Sequence, residues 1–330
     1  MTPESESLAD LSPAVSSERP VRAGRDDGWV TARPPRGKEV LLRILGLPGL
    51  IRANMDLVTS GVKRDLEARF KGTVLSWAWP LVQPLFLFAV YYFIFTELLQ
   101  FKMPDLPDER RSAMGIYMFT GVLAWAAFAE SLSRGTSVII DNGNLIKKLA
   151  FPSELLPLNV TLVSLTTMLF AVAVFLLGCA LTPIWPAPGW GLLWLPVILV
   201  LQGLFTYGLV LLTSTLQVFL RDTAQLVGIL SSVWMFTTPI FWVPELMRSA
   251  VREYMPLIQA NPLYHLVQAW RGTLMGDLSI PANEFVAGGP VSSVSAVPHH
   301  LLVFAAWAVG AYAVGYGFFI LSQRRFADEV

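Results

Sequence analysis

The chain has 330 residues, 54% of them hydrophobic and 15% charged, with Lys plus Arg equal to Asp plus Glu at 24 each. Soluble globular domains carry about 25% charged residues, so this composition, with a mean hydropathy of +0.55, excludes an ordinary soluble domain and points to an integral membrane protein. The single cysteine, Cys179, excludes an intrachain disulfide and a cysteine-based zinc cluster, and the balanced charge offers no basic field for nucleic acid.

Residues 1–50 read as a disordered tail: the first 36 are polar, rich in Ser, Pro and Arg, and hold no apolar core for a signal peptide. A membrane permease domain is expected over 51–330. It opens with Asn54 to Lys71, where Met55, Val58, Val62, Leu66 and Phe70 recur at spacings of three and four, with Lys63, Arg64, Glu67 and Lys71 elsewhere on the wheel. That pattern predicts an amphipathic helix lying in the membrane interface.

A charge at mid-bilayer costs roughly 2.5–3.5 kcal/mol, so charge-poor intervals of about 20 residues mark the spans. Six are expected, at about 72–97, 112–133, 155–181, 190–218, 223–244 and 301–323, with the turn-rich TPIWPAPGWG (Thr182 to Gly191) dividing the third from the fourth. Between the fifth and sixth, EYMPLIQANPLYHLVQAWRGTLMGD is cut by Pro256 and Pro262 into apolar patches too short to cross. Short re-entrant helices are expected there. The predicted fold is therefore all-α and membrane-integral: six transmembrane helices, an N-terminal amphipathic helix and the re-entrant pieces.

Six spans put both termini on one side. Lys63, Arg64, Arg69, Lys71, Arg134, Lys147, Lys148, Arg221, Arg324 and Arg325 on that side outnumber Lys102, Arg110, Arg111, Arg248, Arg252 and Arg271 on the other. The positive-inside rule then places the termini in the cytoplasm.

Several chemistries are missing. His265, His299 and His300 have no metal-binding partner at helical spacing, and His299 and His300 read as solvated cap residues. No GxxxxGK[ST] occurs, so the chain has no P-loop for ATP. The spans are expected to carry no internal acid or base, which argues against a proton or sodium relay. If transport is active, its energy is expected from a partner ATPase docking on the cytoplasmic loops, with no cofactor or metal bound by this chain.

Four stretches stand in series with apolar spans between them: RDLEARFKGTVLSWAWPLVQPL (Arg64 to Leu85), NGNLIKKLAFPSELLPL (Asn142 to Leu158), FLRDTAQLVGILSSVWMFTTPIFW (Phe219 to Trp242) and NPLYHLVQAWRGTL (Asn261 to Leu274). In order and spacing, over about residues 54–325, the chain resembles the permease subunits of ABC transporters that export polysaccharides, the O-antigen, teichoic-acid and capsule exporters. The N-terminal tail and the GGPVSSVSAVP linker fall outside the resemblance. It implies an inner-membrane homodimer working with two copies of an ATP-binding subunit that holds ATP and Mg. It also implies a cytoplasmic helix seated in the ATPase, outer gate helices between spans five and six, and a lipid-linked polysaccharide moving along the dimer axis among membrane lipids. Drug or small-lipid efflux uses the same plan and is a first alternative. A membrane-embedded lipid-linked glycosyltransferase or acyltransferase is a second; its candidate acids and bases would be Asp105, Asp108, Glu130 and His265, scattered through different loops.

Individual residues follow from this frame. Asn144 is expected to cap a short helix presenting Leu145 and Ile146, with Lys147 and Lys148 at its far end, either as the ATPase-coupling element or as a solvated basic turn. Arg221 and Asp222 are a second candidate contact, or a helix-end salt bridge. Phe88, Tyr92 and Phe95 share a face of the first span and, with Trp77 and Trp234, are candidate channel residues, since aromatic rings give sugar faces weak, repeated contacts. Helix packing is the alternative for each ring, and Trp77 and Trp79 also suit the headgroup belt. Tyr264 and Arg271 are the candidate outer-gate residues; Arg271 is expected to meet a phosphate or acidic sugar, or to pair with Asp277 or Glu284.

Overall fold

The computed structural model describes residues 37–70, 78–99, 113–148, 152–181, 188–247, 253–280 and 289–329. The described chain is mostly helical. Helix α1 (Gly37–Ala53) passes through a bend at Asn54 into α2 (Met55–Phe70); α3 (Trp79–Tyr92) widens into a π-helical turn at Phe93–Leu98. Next come α4 (Ala113–Asp141), the short α5 (Gly143–Lys148), α6 (Leu155–Leu181), α7 (Leu195–Phe219) and α8 (Thr223–Thr237). The chain continues through α9 (Met255–Gln259), α10 (Pro262–Met275), strands β1 (Leu278–Ile280) and β2 (Gly289–Ser292), α11 (Val297–Ser322) and α12 (Phe326–Glu329).

Five helices among the described residues are long and apolar enough to cross a bilayer: Leu81–Leu98, Ala113–Asp141, Leu155–Leu181, Trp190–Phe219 and Val297–Arg325. The chain is a multi-pass membrane protein. The fifth expected span, 223–244, differs: its helix α8 has 15 residues, and at 1.5 Å per residue it falls short of a hydrocarbon core about 30 Å thick. Pro239 is the cause. It disfavours helical backbone at the residue before it, and Thr238 is extended, at φ −87° and ψ 134°.

Two further expectations are corrected. Residues 37–50, assigned to the tail, form most of α1, because Ile44, Leu47, Leu50 and Ile51 pack on a cluster built from α6, α7 and α11, and Ile44 O accepts the Tyr312 hydroxyl at 2.8 Å. The GGPVSSVSAVP linker contributes β2, which pairs antiparallel with β1. The hairpin is pinned where Ser292 Oγ donates to Gly276 O at 2.7 Å and Val294 N donates to Asp277 Oδ1 at 2.8 Å.

Helices α7 and α11 pack through glycine. A Cβ on Gly315 would strike the Gly208 carbonyl, and one on Gly208 would lie 2.5 Å from Tyr312 N. Small residues let backbones approach closely where lipid supplies no hydrophobic drive between helices. Polar side chains tie the same region inward. Gln202 of α7 takes the Trp270 indole N–H at 2.9 Å and donates to Ala124 O at 3.0 Å, so three elements share one fully buried amide.

All fourteen residues of α10 are buried. Its cap, Asn261, accepts from Leu263 N at 3.0 Å and from Trp234 Nε1 at 2.8 Å; Trp234 in turn meets Phe205, midway along α7. Helix α10 thus runs from the Trp234 contact at its start to the hairpin at its end.

Gly315→Ala is predicted to cost about 1–3 kcal/mol or more, because the added methyl meets backbone that cannot move aside. Gly310 has open space at the same point of the side chain, so Gly310→Ala leaves stability unchanged or raised. Melting temperatures of the purified variants check both.

Candidate functional site

Phe88, Tyr91 and Phe95 of the first span pack inward, while Phe86 and Phe93 are exposed. Phe88 meets Phe119 edge-on at 5.2 Å and Phe175 at 6.4 Å, and Phe95 stacks on Tyr91, which approaches Phe241. Phe88 and Phe95 are partly buried against the main core. The Tyr92 hydroxyl finds a partner in Glu97 one turn further along. Trp77 lies outside the described residues. Trp234 is engaged by Asn261 and by the edge of Phe128 at 5.4 Å, so it holds α8 to the start of α10. Within one copy, Phe88 and Trp234 make helix-packing contacts.

At the opposite end, α5 begins two residues earlier than expected. Leu145 N and Ile146 N bond Asn142 O at 2.9 and 3.3 Å, and Asn142 Nδ2 donates to Val138 O. Asn142 therefore closes the first turn, and Asn144 is exposed. Leu145 and Ile146 pack on the core cluster beneath α5, which corrects the expectation that they project outward; Lys147 stays exposed, and the Lys148 side chain lies outside the described ones. Arg221 and Asp222 are exposed as well. No ion pair joins them among the described residues; the turn is held by Gln217, which donates to Arg221 O at 3.0 Å and accepts from Ala224 N at 2.7 Å.

The hairpin end holds the most buried polar chemistry. Arg271 is 0% exposed, and its guanidinium carbon sits 3.4 Å from the centroid of the Tyr117 ring, a cation–π contact strengthened by desolvation. Its Nη2 donates to Ile240 O at 3.3 Å, and Tyr117 OH donates to Trp242 O at 3.0 Å. Together they satisfy carbonyls left free where α8 breaks at Pro239, which lipid cannot do. Among the described residues, Arg271 Nε and Nη1 have no hydrogen-bond partner, nor does Glu245 Oε2. Burial pushes the Glu245 carboxyl up and the Arg271 guanidinium down, each opposed by the other's charge. Within one copy Arg271 is sealed from solvent, and Tyr117 and Ile240 are partners it has among the described residues. Glu284 lies outside the described residues.

Tyr264, also buried, stands beside three imidazoles. Its ring is 5.2 Å from His265 and 5.8 Å from His300. His265 Nε2 is 2.8 Å from Gln259 O, so it carries the proton there, and its Nδ1 accepts from His300 Nδ1 at 3.0 Å. His300 is accordingly no solvated cap; His299 is exposed. Sequence reasoning passed over Tyr117, Gln202, Asn261 and the His265–His300 pair. Gln202, an amide amid apolar residues, was the one legible signal.

Burial, aided by His299 and opposed by the Gln259 carbonyl, lowers the His265 pKa from 6.5. Its folded value lies below the unfolded one, so the unfolded chain binds more protons between the two and stability falls with pH. Wild-type melting temperature is predicted to drop as pH goes below about 6.5, and His265→Leu is predicted to flatten that drop. Fluorescence-monitored melting from pH 8 to about 5 checks the slope.

The matching family model is the ABC-2 type transporter, over residues 57–275. That match takes in α2 to α10. The O-antigen export system permease protein RfbA of Myxococcus xanthus is 29% identical over 240 residues, 72% of this chain and 87% of the relative. The protein of the same name from Klebsiella pneumoniae is 27% identical over 221 residues, 67% of this chain and 80% of the relative. With two-thirds of its length matched and its spanning helices in order, the chain belongs to the ABC-2 type transporter family.

Proposed function

We propose that this chain is the transmembrane subunit of an exporter that moves a lipid-linked polysaccharide of the O-antigen kind across the inner membrane. Family membership implies pairing with a separate ATP-binding ABC subunit, and we take the assembly to be two copies of each. The observation that carries the reading is the alignment with O-antigen export permeases across 87% of a relative's length. The positive-inside bias assigns the α5 end to the cytoplasm.

The packing suggests how force would pass. The exposed Asn144 and Lys147 of α5, and Arg221 and Asp222 at the α7–α8 turn, stand at the same end and form the ATPase seat. Helices α3 and α8 are the loosest of the apolar helices: the α3 span is 6% buried, and α8 buries Thr223 and Val227. Leu81, Leu85 and Phe86 on one, with Ile229, Leu230, Val233 and Phe236 on the other, are exposed. These faces are suited to a second copy and to the polymer path between copies. No substrate bond is broken; ATP is hydrolysed on the partner. The enzyme alternative loses candidates, since His265 is engaged in packing and Glu130 is ion-paired with Arg69.

Deleting the gene is predicted to remove the surface glycan and leave its lipid-linked form inside the cell, with the wild-type gene restoring export. The pair Asn144→Arg and Lys147→Glu is predicted to insert normally yet fail to co-purify with the ATPase. A deletion strain whose surface glycan is unchanged, but which loses resistance to an amphiphilic drug, would replace this reading with the efflux alternative.

A further inference from the structure

Arg69, in the last turn of α2, turns into the bundle, where its side chain is 14% exposed. Its Nη2 lies 2.6 Å from Glu130 Oε1, its Nη1 donates to Thr167 Oγ1 at 3.1 Å, and Arg134 Nη1 reaches the same carboxylate oxygen at 3.5 Å. Two guanidinium groups share one carboxylate, which leaves the cluster with surplus positive charge. Among the described residues, Arg69 Nε and the fully buried Ser164 Oγ have no hydrogen-bond partner. Burial lowers the Arg69 pKa, with Glu130 opposing and Arg134 adding to the shift.

Arg69, Glu130, Ser164 and Thr167 form the floor of a cavity of about 240 Å³ between α2, α3, α4 and α6, with Arg134 behind the Glu130 carboxylate. Leu87, Phe119, Leu123, Met168 and Ala171 make its walls, and the exposed Gln83 and Ala126 mark its open side. Depth can be read from α2, where Lys63, Arg64 and Glu67 are exposed and need water or headgroups around them. Arg69 is within two turns of them, so the floor sits at the headgroup border and the walls reach into hydrocarbon depth. Unsatisfied cationic donors call for an anion with several acceptor oxygens, and the apolar walls call for a hydrocarbon chain. A free anion leaves the walls unused; a neutral tail leaves the floor unsatisfied.

We propose that this cavity seats the phosphate-bearing head of a membrane lipid, with Arg69 and Ser164 holding phosphate oxygens and the first carbons of one chain lying along Phe119 and Met168. The identity of that lipid rests on the export reading above: an exporter of lipid-linked polymer would take the head of the carrier lipid here.

The test is calorimetric titration of the purified protein in nonionic detergent with dodecyl phosphate, dodecanol, short-chain phosphatidylglycerol and inorganic phosphate. Dodecyl phosphate is expected to bind about tenfold or more tighter than dodecanol, and tighter than inorganic phosphate. Arg69→Gln is expected to erase the advantage over dodecanol. Equal affinity for dodecyl phosphate and dodecanol, or an undiminished advantage in Arg69→Gln, overturns the seat. Should Arg69→Gln fail to fold, Ala126→Trp leaves the ion cluster whole and narrows the open side; unweakened dodecyl phosphate binding there also overturns it. Preference for the single-chain phosphate over phosphatidylglycerol supports the carrier lipid, and the reverse preference overturns that identity. The deletion strain judges export separately, so binding without export, and export without binding, point to different failures.

Discussion

Hydrocarbon offers a buried N–H or C=O no partner, and each unsatisfied group costs several kcal/mol. The architecture follows from meeting that demand wherever a helix is interrupted. At Pro239 the fifth apolar segment breaks, and the freed carbonyls of Ile240 and Trp242 are taken by Arg271 and Tyr117. At Asn261 the chain turns, and one amide side chain caps α10, accepts the Trp234 indole and donates to the Thr238 hydroxyl at 2.8 Å. The break at Pro239 is closed by side chains from other elements, and the Asn261 cap joins its own helix to α8.

Charges in the bundle obey the same accounting. Glu130 follows directly on the charge-free part of the second span, in the same helix and at the headgroup border. It is tolerated because Arg69 arrives from α2 and Arg134 from one turn along its own helix. Removing one partner of such a group strands the other, which is far more costly than losing a surface pair. The interface helix is thereby fastened to the second and third spans: Arg69 reaches both Glu130 and Thr167, and Gly61 allows Asn159 of α6 to lie against its backbone.

Long apolar runs were legible in sequence because hydropathy is a property of composition. Helix α6 occupies Leu155–Leu181, the interval between the last charge before it and the turn residues after it. The first turn of α5 was missed by two residues, since Asn142 and Asn144 are both good helix-start residues and only the surrounding contacts choose between them. Leu145 and Ile146 were assigned outward because a six-residue helix has too few turns to reveal which side is buried. The roles of Arg271 and His300 were invisible for a different reason: their partners, Tyr117 and His265, lie far off in sequence, and no local pattern encodes such a meeting. The aromatic spacing in the first span was real, yet spacing alone does not say whether a ring faces a cavity or a neighbouring helix.

The crossing of Gly208 and Gly315 constrains how the molecule can work. With backbone resting on backbone, α7 cannot slide along α11 without collision, and the two behave as a fixed keel. A rearrangement that keeps this keel intact leaves the sparsely covered α3 and α8 as the helices outside it, α3 resting on α4 and α6 and α8 on α4 and α7.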